Sequence, residues 1–176
     1  MRQVPQTSIH VFQFPDLAHK IVGPMGTGTR PPTKPVDFPG SARRHLKDAE
    51  LLEAANRLAN AGHLYGYVAE CGLKALLTWH GHPTDADGSP RRNSGFRVHV
   101  DDLVIATTFA SLKFLVNSRS GAKYLAMIPS INAFSDWNVK HRYFSEGALP
   151  TSFPQWKVAA QEVGRMLDQA RLDGKR

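Results

Sequence analysis

The chain has 176 residues, of which 41% are hydrophobic and 9% aromatic, ordinary usage for a globular protein with one self-sufficient core. Its single cysteine, Cys71, excludes a disulfide framework, no apolar run approaches the length of a membrane span (about 18 residues), and no basic-then-apolar leader marks the N-terminus, so a cytoplasmic protein without membrane contact is expected. A formal net charge of +7 leaves a polyanionic partner open, although dispersed positive charge also serves solubility.

Residues 1–40 hold seven of the twelve prolines and read as an extended arm, because proline removes a backbone donor and blocks helix. Within it, Ser8 to Phe14 is apolar enough to dock as a short strand. The run Gly23-Pro24-Met25-Gly26-Thr27-Gly28 lacks the Gly-Lys-Ser/Thr of a phosphate loop and a strand-to-helix setting, so no nucleotide loop is expected there. From Ser41, a good N-cap, Ala42, Leu46, Ala49, Leu52, Ala55 and Leu58 recur three or four apart, and Gly62 stands where a left-handed C-cap would stop the helix.

A second helix over about 63–79 follows, with Leu64, Val68, Cys71, Ala75 and Leu76 at helical spacing. It carries Glu70 and Lys74 four residues apart, in the favourable acid-before-base order, at the border of a core. Residues 80–98 are loop chemistry, with Asp87-Gly88 and Ser89-Pro90. A third helix is expected over about 100–117, burying Leu103, Ala106, Ala110, Leu112 and Phe114. Lys123 to Phe134 adds a turn or two, broken at Pro129. The last helix opens at Thr151 or Ser152 with Pro154 in its first turn, and Val158, Ala159, Val163, Met166, Leu167 and Ala170 form its stripe. The sum is an all-α protein, an antiparallel bundle of four main helices over 41–176 behind the proline-rich arm.

Other chemistry finds little support. His80, His82, Asp85 and Asp87 match no zinc or calcium spacing, so no metal and no cofactor is expected. There is no Gly-x-Ser-x-Gly turn or cysteine-protease signature. Cys71, Trp79, Trp137 and Trp156 read first as core residues.

Three landmarks in order carry a family resemblance: Ala69-Glu70-Cys71-Gly72-Leu73-Lys74-Ala75-Leu76 on the second helix, His99-Val100-Asp101-Asp102-Leu103 opening the third, and Trp137-Asn138-Val139-Lys140-His141-Arg142-Tyr143 before the last. Together, over about 41–171, the chain resembles the HEPN family of small helical-bundle proteins. The ribonucleases of that family place an Arg and, a short spacer later, a His near the last conserved helix. Here no His follows Arg142 before Pro150 or follows Arg165, and the Arg92 and His99 pair lies in the loop before the third helix. The chain is instead similar to the branch with an aromatic residue followed by Arg-Tyr, described as nucleotide-binding or as partnering minimal nucleotidyltransferases.

The resemblance implies that Glu70, Lys74, Arg142 and Tyr143 meet in one polar cluster, with Trp137 and His99 as further ligand-binding candidates. Such a cluster binds phosphate through Arg and Lys and a base or sugar through Tyr or Glu, or it is a structural ion network. The leading expectation is a non-catalytic homodimeric module that binds a nucleotide, RNA or a partner protein. The alternatives are a metal-independent ribonuclease of toxin type, using Arg142 with His141 or His99, and an interaction scaffold whose arm carries specificity.

Overall fold

The computed structural model describes residues 35–117 and 119–175, which are helical throughout apart from loops and one isolated bridge between Thr84 and Pro90. The arm expected over 1–40, with its Ser8 to Phe14 segment and glycine run, lies outside the described residues up to residue 34. Among the described residues there are six α-helices: α1 Phe38–Ala54, α2 Leu58–Trp79, α3 Val100–Val104, α4 Ala106–Val116, α5 Arg119–Leu125 and α6 Phe153–Leu172. Three 3-10 segments, Ile131–Asp136, Val139–Tyr143 and Glu146–Ala148, fill the stretch between α5 and α6. No described helix is long and apolar enough to cross a membrane.

Helix α1 begins earlier than Ser41. The Asp37 side chain accepts the Gly40 amide at 2.8 Å, and Pro39 in the first turn has no amide to satisfy. It also ends earlier than Gly62. Asn56 takes a left-handed φ of 58°, and the Arg57 amide bonds back to the Leu52 carbonyl at 2.8 Å. Asparagine tolerates that conformation, so the stop falls here. Gly62 lies inside α2, where a Cβ would stand 3.1 Å from the rings of Phe153 and Trp156. Glycine at this position serves packing rather than termination.

Among the described residues helix α2 is packed by α1, α6, α3, α4 and the 3-10 segment Val139–Tyr143. It buries Tyr65, Val68, Leu73, Leu76 and Leu77, and its free N-terminus is met from a distance by the Glu146 carboxylate, which accepts the Ala59 amide at 2.7 Å. Trp156 and Trp137, both buried, lock the surrounding segments by donating to the carbonyls of Ala133 and Gly62, each at 2.9 Å.

The expected third helix is two helices. Ile105 adopts an extended backbone, φ −55° and ψ 135°, amid the β-branched run Val104, Ile105, Thr107 and Thr108, which weakens helix at that point. The break turns α4 so that Phe109, Leu112 and Val116 face inward while Ala106, Ala110 and Phe114 face solvent, Phe114 at 81% exposure. Helix α6 starts after Ser152 as expected, with Pro154 in its first turn, but Val158 is half exposed and Trp156 takes its place in the core.

Candidate functional site

The site is assembled from three separate stretches around Glu70. On α2, the helical rise sets His63, Tyr67, Glu70 and Lys74 along one face. The Lys74 ammonium meets Glu70 Oε1 at 2.6 Å, with both side chains close to fully buried. From the N-cap of α3, His99 Nδ1 lies 2.9 Å from Glu70 Oε2, its ring half exposed. One carboxylate is thus held from both sides, by a buried cation and by an accessible imidazole.

The third stretch is tethered by tryptophan. A Cβ on Gly66 would stand 2.1 Å from the Trp137 indole, so only glycine lets the ring lie against α2. His63 stacks on that indole at 5.7 Å, and Tyr67 touches the rings of His45, His63, Trp137 and His99. Just beyond, Asn138 caps the segment Val139–Tyr143 by accepting the Lys140 amide, and it donates to Asp101 of α3 at 3.2 Å. That link ties the stretch bearing Arg142 to the one bearing His99.

Arg142 and Tyr143 lie at the exposed rim, the guanidinium 4.8 Å from the Tyr143 ring centre. Among the described residues Glu70 pairs with the Lys74 ammonium and hydrogen-bonds the His99 ring, and Arg142 is not one of its partners. Arg142 is nevertheless near enough for its charge to act on His63 and Tyr67. The structure therefore brings together Glu70, Lys74, His99 and Trp137 of the six expected residues, with Arg142 and Tyr143 beside them. His141 is different: it is buried, stacks on Trp156 at 5.5 Å and accepts the Asn138 amide through Nδ1.

Burial shapes the acid–base character of the surroundings. Desolvation, with help from Arg142, His99 and His45, pushes His63 down to about 4, so its ring is neutral at physiological pH. Its Nδ1 is buried without a hydrogen-bond partner among the described residues. Burial also lowers His45, raises Tyr67, and pushes the Cys71 thiol up to about 12, which leaves that cysteine inert.

The loop residues His80, His82, Asp85 and Asp87 do local work: His80 Nδ1 bonds the Leu76 carbonyl at 2.7 Å, His82 packs edge-on to Phe96, and the two carboxylates face Arg97. Among the described residues no group of three or more His, Cys, Asp or Glu stands ready to hold a metal ion. Sequence reasoning missed His63, Tyr67 and Gly66 as parts of the site. The spacing Gly62-x-x-x-Gly66, two positions without a side chain one helical turn apart, was the available sign that large rings dock there. Comparison of the chain with models of protein families, with curated proteins and with solved structures finds no match.

Proposed function

We propose that the chain is a HEPN-like module of four main antiparallel helices, α3 and α4 together supplying one of them, that binds a nucleotide or a single-stranded RNA segment at the Glu70 cluster. The observation that carries the reading is the anchored carboxylate, Glu70 between Lys74 and His99, beside an exposed Arg142 and Tyr143. An arginine fork suits phosphate, and an open tyrosine ring offers a stacking face for a base. The test is fluorescence anisotropy with a labelled oligouridylate over a salt series: binding that weakens with salt and is reduced by Arg142→Ala supports the module, and no binding at low salt refutes it.

The second reading, a metal-independent ribonuclease, is favoured by one specific distance. With Nδ1 of His99 bonded to Glu70 at 2.9 Å, the tautomer is fixed and Nε2 is left to accept a proton from a 2′-hydroxyl. Cleavage of RNA in the presence of a chelator, lost in His99→Ala, supports it. A homodimer is proposed through the solvent-facing side of α4, where Ile105, Phe114 and Leu115 are exposed. Light scattering of wild type and Phe114→Glu distinguishes dimer from monomer.

A further inference from the structure

A cleft of about 820 Å³ lies between α1 and α6, lined by none of the residues of the Glu70 cluster. The two helices run antiparallel there. Arg43 of α1 bonds the Asp168 side chain and the Leu167 carbonyl of α6, and Glu50, further along α1, accepts from Gln161, nearer the start of α6.

Each wall is a single helical stripe. Arg43, Leu46, Lys47 and Glu50 follow the i, i+3, i+4, i+7 spacing on α1, and Gln161, Gly164, Arg165 and Asp168 repeat it on α6. The floor is apolar and shallow: a Cβ on Gly164 would stand 2.7 Å from Leu46 Cδ2, so glycine lets the two helices close up beneath the cleft. Two matched stripes over a closed floor form the kind of groove that receives a third helix.

Charge decides what kind of helix. The acidic members are already engaged, Asp168 by Arg43 at 3.2 Å and Glu50 by Gln161 at 3.0 Å. Lys47, Arg165 and Arg171 are exposed and add three positive charges with no ion pair among the described residues. A nucleic acid fits less well. The lining has no aromatic ring on which a base could stack.

From these observations we infer that the α1–α6 groove is a docking site for an acidic amphipathic helix of a partner protein. Its apolar residues sit over Leu46 and Gly164, and its carboxylates pair with Lys47, Arg165 and Arg171. The lined portion of α6, residues 161–171, accommodates about three turns of such a helix. The site is independent of the Glu70 cluster.

The test uses the full chain and two stapled helical peptides sharing a leucine stripe, one flanked by glutamates and one by lysines. Calorimetry is expected to give the glutamate helix an affinity at least about tenfold above that of the lysine helix, falling as salt rises. The double reversal Lys47→Glu with Arg165→Glu is expected to weaken the glutamate helix by at least about tenfold and to strengthen the lysine helix, a swap that only direct charge pairing produces. Thermal melting checks that this variant folds. Should it not, Lys47→Gln with Arg165→Gln carries the same comparison with a smaller loss of glutamate-helix affinity. Equal binding of the two peptides, indifference to the substitutions, or capture of an oligouridylate by these residues in place of the peptide overturns the inference.

Discussion

Gly66→Ala tests the architecture of the Glu70 site with one methyl group. The added Cβ would stand 2.1 Å from Cε2 and 2.2 Å from Nε1 of Trp137, an indole that is 1% exposed and donates to the Gly62 carbonyl at 2.9 Å. Taken as an ordinary helix position, glycine to alanine stabilises by about 1 kcal/mol. Against that, forcing a methyl into a filled core costs about 1–3 kcal/mol. Driving the indole off its acceptor leaves a buried N–H unpaired, at about 1–3 kcal/mol more. The losses outweigh the gain, and the expected net destabilisation is about 1–5 kcal/mol. Urea unfolding followed by tryptophan fluorescence measures it. The double variant Gly66→Ala with Trp137→Phe is expected to cost less than the sum of its singles, because the smaller ring vacates the space the methyl needs. A Gly66→Ala protein as stable as the wild type, or more so, refutes the docking of Trp137 against α2 and with it the placement of Arg142.

Three further outcomes follow from the same geometry. His99→Asn retains an N–H able to reach Glu70 but has no second ring nitrogen, so it is expected to leave the melting temperature within a few degrees of wild type and to abolish any RNA cleavage; cleavage that persists removes His99 as the base. Arg142→Ala is expected to change stability by less than about 0.5 kcal/mol while weakening RNA binding, since Arg142 is exposed and is not the ion partner of Glu70; differential scanning fluorimetry and anisotropy measure the two effects separately. His63 titrates near 4 in the folded state and at its ordinary 6.5 when unfolded, so the unfolded chain takes up its proton first as pH falls. The contribution of His63 to stability is therefore fully present above pH 6.5 and is lost toward pH 4, and His63→Phe should flatten that part of the stability curve measured by urea unfolding.

The sequence revealed what depends on local periodicity. The apolar recurrence of Val68, Ala75 and Leu76 located α2, the Ser152 and Pro154 pair located the start of α6, and the i,i+4 spacing alone put Glu70 beside Lys74. It misjudged positions where one residue has two competing uses. Gly62 had the chemistry of a helix stop, but Asn56 provided the left-handed turn first, which left Gly62 free to seat Phe153 and Trp156. Phe114 had the period of a buried residue until the break at Ile105 rotated α4 and exposed it. Both outcomes turn on a competing local signal, Asn56 in one case and the β-branched run around Ile105 in the other, that outweighed the apolar period.

The same logic explains why the cluster differs in membership from its sequence description. A carboxylate with two oxygens accepts from two directions, and the first is filled within its own helix by Lys74. The second was open to any donor the fold brought close. Arg142 had the stronger charge, but the Asn138 cap and the Asn138 to Asp101 bond fix its segment beside the α3 terminus, where His99 reaches Glu70 first. The guanidinium, displaced to the rim, rests against Tyr143 instead. The one polar cluster that the resemblance implied is thus divided into an anchored Glu70–Lys74–His99 unit and an exposed Arg142–Tyr143 pair. An arginine spent on Glu70 would have little charge left for a phosphate; at the rim, with Glu70 already satisfied, its forked donors stay exposed, as the proposed phosphate binding requires.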